Sequence, residues 1–515
     1  MHVTTFARSL FASLVALLGA CGGNEPEPAT SARTDAPAAS TGSAAAPAPA
    51  AAKKPNIVLI SIDTLRADAL EPWGAARPTS PNISALAKDA WVFKNTFSQA
   101  GVTAPSHMTL LTSLYPIVHG VSNLRAIEMQ REGGEEENTT ATRVDPKVQT
   151  LASVLSKHGW KTAAFTGGGN VCSDLGFDQG FHEFDDEPTN GVSGNDGPWF
   201  DAQHVAKWIE AHKAEPFFLF VHTWIPHNPY LPPEPWNTAF DPDYKGKIVS
   251  SRAEYDARPD ADDPHLPSRV MLEFDRKDPA EVAHIRALYD GDVRYADESV
   301  GKLLAALESS GVQDDTIIVL VSDHGEQFLE HGNFLHPSEL WRELVHVPLI
   351  VRLPSRESRT IETPARLIDV LPTILDLVDV PVPAEAQGRS LLPAVAGTYE
   401  ELPIISEIVT RWRFSGTSRS VSRMIRSIRL AQWTYIVRTI GPSQSEELYD
   451  RSTDPGETQN LAPKRKEHLA TLQRFREIAR QHEEACAELA ARFAGTQAQI
   501  SDETLKEIGK LGYVK

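Results

Sequence analysis

Cysteine is scarce in this chain, with three residues among 515. That number excludes a disulfide-stapled scaffold and a zinc cluster built from thiolates. Positive charge is in deficit as well, because 69 acidic residues stand against 50 Lys and Arg residues and give a net charge of −19. A protein of this charge, with a pI near 5.4, lacks the electrostatic basis for binding nucleic acid. The composition therefore predicts a partner that is neither DNA nor RNA.

Membrane-spanning runs are missing after the N-terminus, and the apolar stretch at residues 10–18 is too short to cross a bilayer as a stable helix. Arg8 precedes this stretch and small residues follow it, which is the order of an export signal. Leu18-Gly19-Ala20-Cys21 resembles the lipobox of bacterial lipoproteins. The sequence thus predicts a signal peptide over residues 1–21 with Cys21 as the lipidated first residue, the alternative being an ordinary secretory signal.

Residues 22–54 consist mainly of Ala, Pro, Ser, Thr and Gly, with hardly a large apolar side chain. Such a stretch cannot bury enough apolar area to fold, so it predicts a disordered tether. A lipid at Cys21 followed by a tether predicts a protein held at the bacterial cell envelope, at the outer membrane or cell surface. The N-terminal lipid would then be its only contact with a membrane.

Two apolar runs each end in an acidic residue. Residues 56–62 lead to Asp63, and residues 316–322 lead to Asp323 and His324. Both runs are short, β-branched and apolar at nearly every position, which is typical of a strand buried on both faces of a parallel sheet. The carboxyl ends of such strands lie at the edge where open α/β folds bind ligands. With the hydroxyl of Thr103 between them in sequence, these residues predict a metal site with a hydroxyl nucleophile.

Buried strands alternate with helical segments from residue 55 onward. Helical patterns cover residues 81–89, 148–157, 202–212 and 280–310, and strand patterns cover residues 161–166 and 216–222. This alternation predicts an α/β fold in which a mainly parallel sheet is sandwiched by helices. Residues 125–147 and 237–279 are polar and nearly aperiodic, which predicts surface insertions.

A proline-rich stretch at residues 380–383 marks the end of the α/β part. Strand patterns at residues 427–437 and 447–450 predict a smaller antiparallel sheet beyond it, and residues 464–493 predict a charged helix. The sequence therefore predicts an α/β domain over residues 55–380, an antiparallel subdomain over residues 381–465 and a helical tail over residues 466–515.

Five segments, taken in order, resemble the motifs of sulfatases in the alkaline phosphatase superfamily. They are Pro55–Asp68, Pro105–Pro116, Ser322–Glu326, Val345–Ile350 and Glu447–Leu461. The resemblance extends from residue 54 to about residue 465. It implies an alkaline-phosphatase-like fold, a divalent metal held by Asp63, Asp323 and His324, and hydrolysis of a sulfate or phosphate ester.

The nucleophile position departs from the family pattern. Sulfatases oxidise a Cys, or sometimes a Ser, to formylglycine in a Cys-x-Pro-x-Arg motif, whereas this chain has Thr103 and His107 at the Cys and Arg positions. Oxidised threonine would give no aldehyde, so no formylglycine is expected. A threonine alkoxide is the nucleophile of related phosphodiesterases and phosphoethanolamine transferases. The resemblance therefore implies that Thr103 is the nucleophile and favours attack on phosphorus.

The expected metal ligands also depart from the pattern of the sulfatase family. Sulfatases usually pair Asp with Asn here and bind calcium through oxygen atoms, whereas His324 offers an imidazole nitrogen. Nitrogen ligands suit zinc or manganese better than calcium. Thr64 stands where sulfatases commonly have a second Asp, and it is an open candidate for an additional ligand.

Three histidines are candidates for contact with the ester. His107 occupies the arginine position of the nucleophile motif, and His227 matches a substrate-contact histidine of sulfatases. His336 falls where sulfatases often carry a lysine and where phosphoethanolamine transferases have a histidine. At neutral pH each could bind non-bridging oxygens or protonate a leaving group. Thr103, His107, His227 and His336 are thus the expected catalytic residues.

The sequence predicts a metal-dependent hydrolase of a small-molecule, glycan or lipid ester. A phosphate ester is favoured because of Thr103. Two alternatives stay open, namely a phosphoryl-group transferase at the envelope and an inactive surface lipoprotein that binds ligands. Taken singly, Asp63 could be a strand-end cap and Thr103 an ordinary helix N-cap.

Overall fold

The computed structural model describes residues 53–123, 142–187, 202–260, 270, 273–413, 420–493, 495–501 and 504. The expected signal peptide, Cys21 and nearly all of the expected tether lie outside the described residues. Parts of both expected insertions and much of the expected helical tail lie outside them too. Among the described helices, none has both the length and the apolar character that a membrane crossing requires.

The strands of the described residues are numbered in chain order. They are β1 (Asn56–Ile62), β2 (Trp91–Phe97), β3 (Thr142–Arg143), β4 (Lys161–Phe165), β5 (Glu183–Asp185), β6 (Phe217–Thr223), β7 (Thr316–Ser322), β8 (Gln327–Phe328), β9 (Phe334–Leu335), β10 (His346–Arg352), β11 (Arg359–Ile361), β12 (Ala365–Arg366), β13 (Ile404–Arg413), β14 (Ser420–Leu430), β15 (Trp433–Ile440), β16 (Ser443–Asp450) and β17 (Thr496–Gln497).

The α-helices of the described residues are numbered in the same way. They are α1 (Pro81–Lys88), α2 (Thr103–Thr112), α3 (Pro116–His119), α4 (Leu151–Lys157), α5 (Ala202–His212), α6 (Trp236–Ala239), α7 (Arg252–Asp256), α8 (Pro279–Ser309), α9 (Arg342–Val345), α10 (Val370–Leu377), α11 (Leu392–Val395) and α12 (Leu469–Ala490). Short 3-10 helices cover Ala67–Ala69, Glu71–Trp73, Ser173–Leu175, Gln313–Asp315 and Leu367–Asp369.

The central sheet has the strand order β11-β2-β10-β7-β1-β6-β4-β5, and β12 also pairs with β2. β1 lies parallel between β6 and β7, whereas β10 runs antiparallel to both β7 and β2. Every residue of β1, β6, β7 and β10 is buried, as expected for strands covered on both faces. The mainly parallel sheet confirms the predicted α/β class.

Side chains of β1 alternate between two apolar cores, one on each face of the sheet. Ile57 and Leu59 join the core that includes residues of α2, α4 and α10. Val58 and Ile60 join the core that includes residues of α1, α5 and α8. Each fully buried aliphatic side chain contributes about 1.5–3 kcal/mol, so both cores hold β1 rigidly. Whatever follows the end of β1 is positioned with the same rigidity.

Most elements expected in the α/β part are present. The helices expected at residues 81–89, 202–212 and 280–310 are α1, α5 and α8, and the strands expected at residues 161–166 and 216–222 are β4 and β6. The helix expected at residues 148–157 begins later, at Leu151, because the Thr150 side chain accepts the Ser153 N–H and caps it. Part of the expected aperiodic insertion is helical, as α6 and α7.

The prediction of one continuous strand over residues 427–437 was wrong. The chain reverses there, so that β14 and β15 form a hairpin in which Leu430 pairs with Trp433. Ala431 has a φ of 49° at this turn. Turns of this kind favour Gly or Asn, whereas an alanine does not indicate a turn. The apolar strand pattern therefore continues through residue 431 without a break in the sequence.

The C-terminal sheet has the order β13-β14-β15-β16 with antiparallel pairing, which confirms the expected smaller sheet. A buried ion pair between Arg429 of β14 and Glu457 joins this sheet to the following loop, with 3.1 Å between Nη2 and Oε2. Glu457 also accepts hydrogen bonds from the Arg342 N–H and from Oγ1 of Thr434. The loop around Glu457 therefore contacts the α/β part directly.

His331 joins that same loop to the segment between β8 and β9. Its Nδ1 lies 2.7 Å from Oε1 of Glu343 and its Nε2 lies 3.0 Å from the Glu457 carbonyl oxygen. Both partners can only accept, so both nitrogens carry hydrogen and the ring is an imidazolium. The ring stacks on Trp341 at 3.9 Å. Burial alone would lower the pKa of His331, but the hydrogen bond and charge of Glu343 and the Glu457 carbonyl raise it overall.

Replacing His331 with alanine is expected to lower the free energy of unfolding by about 2 kcal/mol near pH 5.5, because buried acceptors lose their donors. The folded pKa of His331 lies above the unfolded value, so its stabilisation is fully present below about pH 6.5 and is lost as the pH rises through the folded pKa. Urea unfolding near pH 5.5 and near pH 9 measures this difference, which should shrink at the higher pH.

The matched control is His204→Ala, since His204 is an exposed histidine of α5. This substitution should change the free energy of unfolding by less than about 0.5 kcal/mol at both pH values. An equal loss at both pH values in His331→Ala would contradict an imidazolium at this junction.

Candidate functional site

The carboxyl ends of β1, β6 and β7 meet at one edge of the central sheet. Ile62 of β1 is in register with Thr223 of β6 and with Ser322 of β7. The next residue after β1 is Asp63, whose N–H donates to the Thr223 carbonyl at 2.8 Å, and the next after β7 is Asp323. Parallel pairing therefore places two carboxylates side by side although 259 residues separate them along the chain.

Asp63, Asp323 and His324 are buried and form a cluster. One ligand atom from each lies within 4.8 Å of the others. Nε2 of His324 is 3.6 Å from Oδ1 of Asp63 and 3.4 Å from Oδ2 of Asp323. Nδ1 of His324 donates to the Gly325 carbonyl at 2.9 Å, which turns Nε2 toward the carboxylates. A hydrogen bond of this kind on the other nitrogen is typical of metal-bound histidines.

The polar atoms of this cluster fit a divalent cation. Among the described residues, Oδ1 of Asp63 and Oδ2 of Asp323 are buried without a hydrogen-bond donor. Burial and the charge of Asp63 raise the pKa of Asp323 to about 7. Burial also acts to raise the pKa of Asp63, but its interactions with His222, His227 and His324 lower it overall. Two adjacent buried carboxylates, each with one oxygen that lacks a donor, are a costly arrangement that a cation would relieve.

Thr64 positions one of the carboxylates through its main chain. Its N–H donates to Oδ1 of Asp323 at 3.2 Å, and its carbonyl oxygen accepts from the Tyr289 hydroxyl at 2.9 Å. The φ of Thr64 is 54°, which is rare for a β-branched residue and is typical of strained functional sites. Its own hydroxyl oxygen is buried and has no hydrogen-bond partner among the described residues.

Thr103 is the first residue of α2. Its hydroxyl lies 3.2 Å from Nε2 of His324, and the residue is 2% exposed. α2 is buried along its whole length, so Thr103 is held by the same core that fixes β1. The expected nucleophile thus lies within hydrogen-bond distance of one expected metal ligand, His324.

His107 lies one helical turn after Thr103. Nδ1 donates to the Thr103 carbonyl at 3.0 Å and is 3.4 Å from Oδ2 of Asp323, and Nε2 accepts from the Ser61 hydroxyl at 2.8 Å. Burial, together with the charge of His222, lowers the pKa of His107 to about 3, so the ring is neutral. These contacts join α2 to β1, and contact of His107 with an ester stays a prediction.

His227 and His336 lie next to each other, and the ring of His336 is also close to that of His324. Their ring centroids are 4.8 Å apart, and those of His336 and His324 are 4.9 Å apart. Nδ1 of His336 donates to Oε1 of Glu326 at 3.0 Å, and Nδ1 of His227 donates to the Asn228 carbonyl at 2.8 Å. Burial and the charge of His336 lower the pKa of His227 to about 4.

His222 stands on the other side, behind Asp63. Its Nδ1 donates to the Thr166 carbonyl at 2.9 Å, and its Nε2 is 3.7 Å from Oδ2 of Asp63. The register explains its position, because His222 pairs with Ser61 one residue before the strand ends.

Asn123 is a site residue that sequence analysis missed. Its Oδ1 accepts the Ala104 N–H at 2.7 Å, so it caps this first-turn donor of α2. Its Nδ2 is buried and has no acceptor among the described residues. A single Asn in a polar loop carries no pattern, and only the fold brings it to the start of α2.

Cys172 and Cys486 are buried free thiols. His119 is buried beside α2, where its Nε2 contacts the Thr109 hydroxyl at 3.1 Å. Neither the thiols nor His119 belongs to the cluster of Asp63, Asp323 and His324.

Comparisons with known proteins agree on the fold and the family. Arylsulfatase K of Bos taurus is 23% identical over 82% of this chain and 81% of its own length. Choline-sulfatase of Rhizobium meliloti (strain 1021) is 26% identical over 83% of this chain and 87% of its own length. The solved phosphonate monoester hydrolase of Silicibacter pomeroyi has a TM-score of 0.65 at 22% identity, covering 87% of this chain and all of the other.

Family models match most of the chain. The model described as Sulfatase matches residues 55–380, and the model described as N-sulphoglucosamine sulphohydrolase, C-terminal, matches residues 330–484. The first match alone covers more than half of the 515 residues. Together with the strand-end cluster, these matches establish that the chain belongs to the sulfatase family of ester hydrolases, with the α/β fold of its alkaline-phosphatase-like members.

Proposed function

We propose that this protein hydrolyses a phosphate ester rather than a sulfate ester, with Thr103 as the nucleophile and a divalent metal as the cofactor. The observation that carries the proposal is the position of the Thr103 hydroxyl, 3.2 Å from Nε2 of His324, a nitrogen that also lies within 3.6 Å of an oxygen of Asp63 and 3.4 Å of an oxygen of Asp323. An ester bound at this point would meet both the nucleophile and the cation.

The chemistry of threonine favours phosphorus over sulfur. The hydrated formylglycine of sulfatases has a second hydroxyl that expels sulfate from the covalent intermediate, and Thr103 has none. A Thr103 adduct must be cleaved by attack at its central atom. In-line displacement at phosphorus allows this in two steps. The bond from Oγ1 to phosphorus forms as the bond to the leaving alcohol breaks, and water then releases phosphate and restores the hydroxyl.

Asp63, Asp323 and His324 would hold the metal, and Thr64 is a candidate for a further ligand. When bound, a divalent cation lowers the pKa of the nucleophilic hydroxyl and polarises the ester oxygen. Two carboxylates and one imidazole form a donor set that suits zinc or manganese better than calcium. His107 acts as a positioning residue, since it holds the carbonyl of Thr103 and thereby the start of α2.

Asn123 is proposed to bind a non-bridging oxygen of the ester through Nδ2. Its other side-chain atom is already bonded to the Ala104 N–H, which fixes the amide next to Thr103. A buried NH₂ group without an acceptor is costly, and an ester oxygen would satisfy it. A preorganised donor of this kind stabilises the charge that develops on the oxygen.

Similar proteins support ester hydrolysis and leave room for phosphorus. Arylsulfatase K and choline-sulfatase are named for sulfate esters, whereas the solved protein of Silicibacter pomeroyi is a phosphonate monoester hydrolase. A substrate panel should therefore include an aryl sulfate, a phosphate monoester, a phosphodiester and a phosphonate monoester that share one leaving group.

Thr103→Ala is expected to lower kcat for the phosphate ester by a factor of at least about 10⁴, because the nucleophile is removed. Metal content measured by atomic emission should stay at the wild-type level, since the three proposed ligands are retained. Thr109→Ala makes the same chemical change elsewhere on α2 and is the control. Retained turnover in Thr103→Ala, or wild-type turnover of the aryl sulfate alone, would overturn the proposal.

His324→Ala is expected to reduce metal affinity by more than about 100-fold, beyond the loss typical of an outer-shell residue. Chelation should abolish the activity of the wild type, and zinc or manganese should restore it better than calcium. Competition of the protein with a metal-binding dye measures affinity without any substrate. His119→Ala is the control, because His119 is buried nearby but is not in the cluster. Unchanged affinity in His324→Ala would exclude this residue as a ligand.

Asn123→Asp is expected to lower kcat by about 10²-fold, since it keeps the acceptor for Ala104 but removes the NH₂ group. Asn123→Ala should lower kcat similarly and also lower the melting temperature, because the helix cap is lost. Steady-state kinetics and thermal unfolding of both variants separate the two roles. A wild-type kcat in Asn123→Asp would show that Nδ2 contacts no reacting oxygen.

A further inference from the structure

Glu326 is a buried carboxylate that the mechanism above leaves without a role. It follows the cluster residue His324 by two positions and is fully shielded from solvent. Oε1 accepts from Nδ1 of His336 at 3.0 Å, and Oε2 accepts from the Tyr230 hydroxyl at 2.8 Å. A carboxylate this deep in the protein persists only where donors satisfy it. Both of its oxygens have one.

The groups around Glu326 come from three separate segments. Tyr230 belongs to the loop that follows β6 and carries His227, Glu326 belongs to the loop that follows β7, and His336 follows β9. The Arg66 guanidinium donates to the Glu326 carbonyl oxygen at 2.9 Å and so holds its main chain as well. The carboxylate therefore joins the elements that carry the site histidines.

The position of the proton on His336 follows from this contact. The ionised form of Glu326 can only accept, so beside it the hydrogen of a neutral His336 lies on Nδ1 and Nε2 is an acceptor. The ring centroids of His324 and His227 lie 4.9 Å and 4.8 Å from that of His336, so this ring stands among the site histidines. The carboxylate and histidine of hydrolytic triads share this division of roles between the two nitrogens.

We propose that Glu326, supported by Tyr230, is a positioning residue that orients His336 and sets its tautomer so that Nε2 faces the ester. Glu326 itself touches no substrate and acts through His336. The inference rests on the proposed function for the presence of an ester at this site. It does not depend on whether that ester contains phosphorus or sulfur.

A double-mutant cycle between Glu326 and His336 tests this role. Glu326→Leu removes the acceptor while filling the space, and it is expected to lower kcat by about 10²-fold, as removal of a partner that orients a histidine does. In a His336→Ala background the same substitution should change kcat by less than about twofold, because the residue through which it acts is gone. Tyr230→Phe should show a smaller loss that also vanishes in that background.

The controls separate positioning from folding. Glu308→Gln alters an exposed glutamate of α8 and should leave kcat unchanged. Glu326→Asp should recover part of the activity, because a carboxylate acceptor is restored. All variants should keep the wild-type far-UV circular dichroism and metal content. A loss of equal size in the presence and absence of His336 would overturn the proposal, since Glu326 would then act on the fold or the cation.

The cycle is run with whichever ester the wild-type enzyme hydrolyses fastest. If that ester is a sulfate, the proposed phosphoesterase function fails while the coupling between Glu326 and His336 can still be measured. If Thr103→Ala abolishes hydrolysis of a phosphate ester while Glu326→Leu and His336→Ala lower kcat independently, the proposed function stands and the positioning role of Glu326 fails. The two proposals are therefore tested by different results.

Discussion

The parallel register of β1 between β6 and β7 is the constraint on which the site depends. It forces Asp63 and Asp323 into neighbouring positions at a buried edge, where two like charges repel and water cannot screen them. The two apolar cores, one on each face of the sheet, hold the strand ends in place and offset the free-energy cost of this repulsion. His324, the N–H of Thr64 and the proposed cation are all ways of compensating carboxylates that the topology has already brought together.

Hydrogen bonds on Nδ1 organise the histidines around this edge. Five of them donate from Nδ1 to a protein oxygen, and the pairs are His107 with Thr103, His222 with Thr166, His227 with Asn228, His324 with Gly325 and His336 with Glu326. Four of the acceptors are main-chain carbonyls, which no side-chain substitution removes. The fifth is a side chain, so the orientation of His336 is the one that a single substitution of its acceptor can change. That difference is why Glu326 is the informative residue to alter.

Sequence patterns predicted the parts of the site that stand on regular structure. Asp63, Asp323 and His324 follow buried strands, so periodicity predicted that they lie at one edge of the sheet. Thr103 was assigned to the same site through the resemblance to sulfatases. Asn123 and the role of Glu326 could not be predicted, because each depends on a contact between loops distant in sequence. The hairpin at Ala431 was missed for a related reason, since its positive φ is imposed by strand pairing rather than by residue type.

The segment from Asp323 to His336 explains why the C-terminal sheet accompanies the α/β domain. This segment carries two cluster residues at one end and His336 at the other, and its ends are held by Thr64 and by Glu326. Its middle has little regular structure and is held by His331, whose partners include the loop of Glu457. Glu457 is bonded in turn to Arg429 of β14. Loosening the C-terminal sheet would thus free the middle of the segment that spaces His324 from His336, which makes the second sheet part of the site's geometry.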